Sequence, residues 1–289
     1  MKRIVFAAGA LLVAGCILIF CATGNLFGRE FNSLFPDAPV SVGPEGLPLS
    51  GSTVVCMGDS IIGMVRNYSS VTAYLAEKTG ATVYNAGFGG CRISVHSNEG
   101  YGAFSMWALA DAIVSGDWSV QESHAHDGSD YFPEQLAVLK NIDFSEVDIL
   151  VIHYGTNDFT ASSGIAPDDP ENPLDYRTVA GALRYSVKKL RRAYPELKIY
   201  VSLPLYRYWP ETGEYGENFR NSLGKKLPEY VQILRETAEE LALPVIDGYS
   251  FMDESNVSNL TLDGVHLNRT GRKKLAEIIA KGIMEETGG

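Results

Sequence analysis

The sequence lacks the patterns that mark several well-known classes of active site. Neither Cys-x-x-Cys nor His-Glu-x-x-His occurs in its 289 residues, so a dithiol redox centre and a zinc-protease site have no support. Gly-x-Ser-x-Gly is also absent, which removes the nucleophile elbow of the α/β-hydrolases. In the glycine-rich stretch at 85–90, Arg92 stands where a dinucleotide-binding loop would have its third glycine. We therefore expect neither a metal nor a cofactor.

Positive charge is in short supply. The chain has 24 Lys and Arg against 35 Asp and Glu, and its net charge is −11. Because Lys2 and Arg3 are the only charged residues among residues 1–23, the rest of the chain carries about −13. An acidic body repels phosphate groups, which argues against nucleic acid or anionic lipid as the main partner.

The N-terminus is the one long apolar run. Residues 4–23 carry no charge and follow Lys2 and Arg3, a length that suits one membrane-spanning helix of about 20 residues. Residues 13–16 also fit a lipobox that would be cleaved and lipidated at Cys16. We rank an uncleaved membrane anchor first, a lipoprotein second and a cleaved signal peptide third. Each option places the remaining chain outside the cytoplasm, anchored to the membrane or secreted.

The next segment predicts a flexible tether. Residues 24–51 are rich in Gly, Pro, Ser and Asn, a composition that opposes regular structure. A single domain is expected over residues 52–289, since no internal repeat or second domain is visible. Its Cys56 and Cys91 are expected as buried free thiols, and a disulfide between them stays open because the domain would lie in an oxidising compartment.

The domain alternates apolar runs with helical patterns. The predicted strands are 53–57, 81–84, 148–154, 198–203 and 244–247. The predicted helices fall within 61–79, around 102–115, at 176–193, near 226–241 and at 270–286. This alternation predicts an α/β fold in which helices flank a doubly wound parallel sheet with right-handed crossovers.

Four short segments carry the polar groups of a candidate active site. They are Gly58-Asp59-Ser60, the 85–90 loop, Gly155-Thr156-Asn157-Asp158 and Asp263-Gly264-Val265-His266. Ser60 offers a nucleophile at a strand end, and His266 offers a general base that Asp263, three residues earlier, can orient. The Gly90 amide and the Asn157 side chain offer hydrogen-bond donors for an oxyanion. The four segments together point to a serine esterase.

Taken singly, each segment has a structural explanation. Gly-Asp-Ser is common in a turn that caps a helix, Asn157 suits an Asx-turn, and Asp-x-x-His is often a helix cap. Elsewhere His124, His126 and Asp127 lie in a polar stretch and are expected to be solvated rather than to bind a metal. His153 lies in an apolar strand, as a core histidine would.

The four segments resemble the blocks of the SGNH hydrolases, also called the GDSL family, which carry Ser, Gly, Asn and His in this order along the chain. The resemblance implies that Ser60 is the nucleophile, that His266 is the base and that Asp263 orients it. It further implies an oxyanion hole formed by the Ser60 amide, Gly90 and Asn157.

The resemblance spans roughly residues 52–287. It implies a three-layer, flavodoxin-like sandwich with a five-stranded parallel sheet between helices. The first block reads Gly-Asp-Ser-Ile rather than Gly-Asp-Ser-Leu. In the second block Gly89 precedes Gly90, so the assignment of the oxyanion donor to Gly90 depends on the chosen register.

We expect ester hydrolysis through an acyl-Ser60 intermediate, without a cofactor. For an enzyme outside the cytoplasm, we expect removal of small acyl groups, above all acetyl, from cell-wall or other glycans. Alternatives are a lipase or thioesterase acting on longer acyl chains, acyl transfer to another sugar, and a catalytically silent surface protein that binds carbohydrate.

Substrate contacts are expected from aromatic residues that follow the fourth strand. Tyr206, Tyr208 and Trp209 leave the same sheet edge as the candidate site and could form a wall for a sugar or acyl group. Local packing is the alternative for most of these rings, and Trp209 is the best contact candidate. Arg92, next to the glycine-rich loop, is a further candidate. Residues 118–132 could add to the rim.

Overall fold

The computed structural model describes residues 39–287. The predicted anchor at 1–23, with Cys16, and most of the predicted tether lie outside this range. Across residues 39–287, no helix combines the length and the apolar character needed to cross a bilayer.

Eight strands and eleven α-helices make up the described chain. The strands are β1 (Val40–Val42), β2 (Thr53–Gly58), β3 (Thr82–Gly87), β4 (Ile149–His153), β5 (Lys198–Ser202), β6 (Tyr208–Trp209), β7 (Glu214–Tyr215) and β8 (Val245–Ile246). The helices are α1 (Ser60–Gly63), α2 (Val71–Thr79), α3 (Glu99–Gly102), α4 (Met106–Ser115), α5 (Ser119–His124), α6 (Phe132–Lys140), α7 (Thr156–Thr160), α8 (Val179–Ala193), α9 (Leu227–Glu240), α10 (Val257–Leu260) and α11 (Arg269–Thr287).

The helical stretch expected within 61–79 is two helices, α1 and α2, instead of one. The chain leaves the first helix after Gly63, and Ser70 starts the second by accepting a hydrogen bond from the Ala73 amide at 3.0 Å. A serine cap of this kind offers the backbone an alternative to a continuous helix.

The central sheet confirms the predicted mostly parallel architecture. Its strand order is β1-β3-β2-β4-β5-β8, and all neighbours from β3 to β8 run parallel. In chain order these five strands stand as 2-1-3-4-5, the flavodoxin-like arrangement. The chain therefore reverses its direction of winding between β2 and β4.

The sheet has one strand more than expected, because β1 pairs antiparallel with β3 at the edge. This strand lies in the predicted tether, which does not stay free of regular structure in its last part. The Asn85 amide donates to the Pro39 carbonyl at 2.7 Å, and the Leu49 amide donates to the Thr79 carbonyl at 2.8 Å. These backbone bonds attach residues 39–51 to the domain.

The core lies in two layers, one on each face of the sheet. Along β2, Val54 and Cys56 pack into one layer, and Val55 and Met57 pack into the other. Burial on both faces explains why the strands read as continuous apolar runs. Cys56 and Cys91 lie in opposite layers, and both are free thiols.

The central strand offers a test of this packing. Leu150 in β4 is completely buried, whereas Leu223 is 54% exposed. We expect Leu150→Ala to lower the free energy of unfolding by about 2–5 kcal/mol, because it removes core contacts and leaves a cavity. The matched surface change Leu223→Ala should shift it by about 0.5 kcal/mol or less. Urea unfolding of both variants measures the difference, and equal losses would contradict the assigned core.

Candidate active site

The candidate site lies at the carboxyl edge of the parallel sheet. Three of the four segments directly follow β2, β3 and β4, which are neighbours in the sheet. The loops after β2 and β4 diverge because the chain winds away in opposite directions from that point. Such a switch point opens the crevice in which ligands bind in open α/β sheets.

Ser60, His266 and Asp263 form a continuous hydrogen-bonded chain. The Ser60 Oγ lies 2.9 Å from His266 Nε2, and His266 Nδ1 lies 2.7 Å from Asp263 Oδ2. The His266 side chain is almost fully buried. In this arrangement Nδ1–H donates to the carboxylate, and Nε2 faces the serine hydroxyl as an acceptor.

The Asp263 carboxylate is held in place by its own turn. Its Oδ1 accepts hydrogen bonds from the backbone amides of His266 at 2.8 Å and Val265 at 3.1 Å. Burial pushes the pKa of the Asp263 carboxyl upward, but the bonds from His266 and Val265 outweigh it, so the pKa lies below its ordinary value. The carboxylate therefore stays ionised beside the imidazole.

Gly264 makes this turn possible. Its φ is +86°, and an added Cβ would lie 2.0 Å from the Tyr208 carbonyl oxygen. The Tyr208 amide also donates to the Gly264 carbonyl at 2.9 Å. Only glycine allows the backbone of Tyr208 to come this close. The contact between the two backbones fixes the turn at residues 263–266.

Ser60, the candidate nucleophile, lies at the start of α1. Asp59 caps this helix by accepting the Ile61 amide at 2.9 Å, and its own amide donates to the His153 carbonyl at 3.3 Å. Ser60 is the first helical residue, so no intrahelical acceptor exists for its N–H. No other acceptor for this N–H is found among residues 39–287.

The glycine-rich loop has one amide engaged and one available. The Gly89 N–H donates to the Tyr131 hydroxyl at 2.6 Å. In the described part of the chain the Gly90 N–H has no acceptor. Gly90 has a φ of +79°, and a Cβ there would lie 2.9 Å from the Tyr101 ring. The geometry thus favours Gly90 over Gly89 as the donor to a ligand.

Asn157 is fixed against the same loop. Its Nδ2 donates one hydrogen to the Cys91 carbonyl at 2.9 Å, which leaves the second amide hydrogen for a ligand. The neighbouring Asp158 is fully buried and accepts from the amides of Ile93 at 3.0 Å and Ser94 at 3.1 Å. The sequence reasoning gave Asp158 no role, because its neighbours Asn157 and Thr160 are polar and nothing in the local sequence indicates that its carboxyl is buried.

Arg207 is a second residue that sequence reasoning missed. The side chain is buried, and Nη1 donates to the hydroxyls of Thr156 at 3.2 Å and Thr160 at 2.7 Å, on the helix that carries Asn157. Burial lowers its pKa to about 10, while the charge of Asp263 opposes the shift. Arg207 thereby places one positive charge among the carboxylates of the site.

The predicted aromatic wall is mostly internal packing. Tyr206 is only 2% exposed and lies in the core, which corrects its assignment as a substrate contact. Tyr208 stacks on Tyr215, with ring centroids 4.9 Å apart. Trp209 stacks on Phe219 at 4.5 Å, and the Arg207 guanidinium lies 4.3 Å from its ring centre.

Arg92, expected as a substrate contact, is partly buried beside the glycine-rich loop. Its Nη1 donates to the Val95 carbonyl of its own loop at 3.3 Å, and its Nε is buried without a partner among the described residues. Burial lowers the pKa of Arg92, and the carboxylate of Asp158 opposes that shift. A contact of Arg92 with the substrate therefore stays a prediction.

The sequence matches a profile of the GDSL-like lipase/acylhydrolase family over residues 56–274. This match covers most of the predicted domain and more than half of the chain. The chain belongs to the GDSL-like lipase/acylhydrolase family. It is a carboxylic ester hydrolase. No curated protein matches it.

Solved structures share the fold of this esterase. One crystal structure with 26% identity has a TM-score of 0.59 and covers 82% of this chain and 98% of its own. A possible lipase from Chitinophaga pinensis, 17% identical, has a TM-score of 0.54 and covers 82% and 98%. A GDSL-like lipase candidate from Parabacteroides merdae, also 17% identical, has a TM-score of 0.52 and covers 83% and 98%.

The carboxyl of Asp59, the residue before Ser60, has a strongly raised pKa. Burial raises its pKa to about 7, although the Ile61 hydrogen bond and the charge of His266 oppose the rise. The folded protein therefore keeps a proton on Asp59 at pH values where an unfolded chain, with a carboxyl pKa of about 3.9, has lost it.

This difference predicts a pH-dependent stability. Between about pH 4 and pH 7 the folded state binds more protons than the unfolded state, so the Asp59 contribution to stability falls as pH rises. Asp59→Asn removes this contribution. The free energy of unfolding of the variant, minus that of the parent, should therefore increase between pH 4.5 and pH 7.5. Urea unfolding at both pH values measures the change. Asp117, whose pKa is lowered by Ser119, gives an exposed control, since Asp117→Asn should show no such increase.

Proposed function

We propose that the enzyme hydrolyses esters through an acyl-Ser60 intermediate. The observation that carries the proposal is the 2.9 Å contact between Ser60 Oγ and His266 Nε2, with Asp263 at 2.7 Å on the other ring nitrogen. His266 takes the Ser60 proton as Oγ attacks the ester carbonyl, and then gives it to the leaving alcohol. His266 next deprotonates a water molecule, which attacks the acyl carbon and releases the acid and free Ser60.

The oxyanion of each tetrahedral intermediate would receive three hydrogen bonds. The donors are the backbone amides of Ser60 and Gly90 and the second amide hydrogen of Asn157. Such donors stabilise charge that exists only during the reaction, because they are already aimed and water is excluded. The support for this assignment is that all three groups have a hydrogen free on the described chain.

For the substrate, we propose small acyl esters, above all acetyl, on cell-wall or other glycans. The predicted leader at residues 1–23 supports a location outside the cytoplasm, anchored to the membrane or secreted, where such glycans occur. The aromatic rings of residues 206–215 add little support for a sugar-binding wall, because Tyr206 and Tyr208 both pack against Tyr215 and Trp209 stacks on Phe219.

The nucleophile assignment predicts selective labelling. A fluorophosphonate should label the wild type at Ser60 and should not label Ser60→Ala, which lacks the attacking oxygen. Turnover of an aryl acetate should fall in Ser60→Ala to a residual level, since the remaining donors give only weak catalysis. Mass spectrometry of the labelled peptide and initial rates measure both effects. Full activity in Ser60→Ala, or no labelling of the wild type, would contradict the mechanism.

The substrate assignment predicts a preference that a panel can measure. Acetylated oligosaccharides should be deacetylated with a higher kcat/KM than aryl esters of long-chain acids, and acetate should be the product. Ser60→Ala serves as the control for background hydrolysis. Faster turnover of long acyl chains would favour a lipase or thioesterase, and acyl transfer to a second sugar would show as a new ester instead of acetate.

A further inference from the structure

We propose that Tyr131 is a positioning residue for the oxyanion hole, because its hydroxyl fixes the loop that presents the Gly90 amide. This inference rests on the function proposed above and extends it to a residue outside the four motif segments. Tyr131 precedes α6 and is 41 residues beyond Gly90 in the chain.

The central contact is a short hydrogen bond at the turn of the loop. The Gly89 N–H donates to the Tyr131 hydroxyl at 2.6 Å, one residue before the candidate donor Gly90. Two successive amides of this loop could face a ligand, and the tyrosine engages the first of them. The bond therefore determines which amide remains available.

The hydroxyl occupies a gap that two glycines create. A Cβ added to Gly63 or to Gly89 would lie 2.9 Å from the Tyr131 oxygen, and the one on Gly89 would also lie 3.4 Å from the Ser60 Cβ. Gly63 belongs to α1, whose first residue is Ser60. The Tyr131 oxygen thus lies where the nucleophile helix and the oxyanion loop meet.

The ring itself is held from two sides. The Arg66 guanidinium lies 4.1 Å from the Tyr131 ring centre, and Phe132 packs edge-on at 5.3 Å. Burial raises the pKa of Tyr131, so the phenol stays neutral and presents an acceptor to Gly89 at working pH. A ring fixed in this way restrains the loop far more than a flexible side chain would.

Loss of the hydroxyl would leave the amide of the buried Gly89 without its acceptor. The loop would then shift or rotate to satisfy that amide, since an unpartnered buried N–H is costly. Gly90 would move with it relative to Ser60. Because the Gly90 donor acts mainly on the oxyanion, the loss should fall on kcat and not on substrate binding.

The test is Tyr131→Phe, which removes one oxygen atom and keeps the ring. We expect kcat on an aryl acetate to fall about tenfold, less than the roughly 10²–10³-fold typical of losing a whole oxyanion donor, with KM changed less than twofold. An alkyl boronic acid, which forms a tetrahedral adduct with the serine, should bind more weakly by about the same factor as the fall in kcat/KM.

Tyr194→Phe is the matched control. The Tyr194 hydroxyl is also partly buried and donates to the Ile113 carbonyl at 3.1 Å, in the region of α4 and α8, away from the site. We expect this variant to keep the kcat and boronate affinity of the parent. The melting temperatures of both variants show whether a general loss of stability explains any difference.

Two results would overturn the proposal. One is a Tyr131→Phe enzyme with parental kcat, and the other is a tenfold loss that appears in KM while boronate affinity stays unchanged. Failure of the proposed function looks different, because wild-type activity would then persist in Ser60→Ala and the boronate would not inhibit the parent.

Discussion

The proposed chemistry depends on one hydrogen bond between residues that are 206 positions apart, the contact of Ser60 with His266. Neither side chain can be placed without the sheet. Ser60 is fixed by the end of β2 and the Asp59 cap, and His266 is fixed by a turn that packs on the backbone at Tyr208. The Ser60–His266 bond therefore depends on the strand order. Because β2 lies in the middle of the sheet, the loop that follows it can meet the turn at residues 263–266.

Buried ionisable side chains are the second constraint on the site. Asp59, Asp158 and Arg207 are all within the protein, and each lies next to a residue or helix that carries one of the reacting groups. Asp158 links the Asn157 helix to the loop that follows Gly90, and Arg207 binds the two threonines on either side of Asn157. Such groups are costly to bury, and the hydrogen bonds that compensate them also hold the proposed oxyanion donors in place.

Several predictions from the sequence were limited because a local pattern does not show which distant segments a residue will contact. The local sequence around Tyr206 is compatible with a ring that contacts a ligand and with a ring that lies in the core. Only the packing against Tyr249 in the folded protein decides between these two positions. Residues 40–42 have no strong strand pattern, and β1 forms there because the edge of β3 offers free backbone groups. The choice between Gly89 and Gly90 likewise rests on Tyr131, whose position no local motif reveals.

By itself the sequence determined the fold class, the five parallel strands and the four segments that carry polar groups, because apolar periodicity and short motifs are local properties. It also indicated that Asp263 could reach His266, since three residues of a turn fix that distance. Only the tertiary structure decided which amide of the glycine-rich loop is available and which aromatic rings are buried. It also placed the charges of Asp158 and Arg207 at the site. These features depend on contacts between segments far apart in the chain, and such contacts exist only once the sheet and its two core layers have formed.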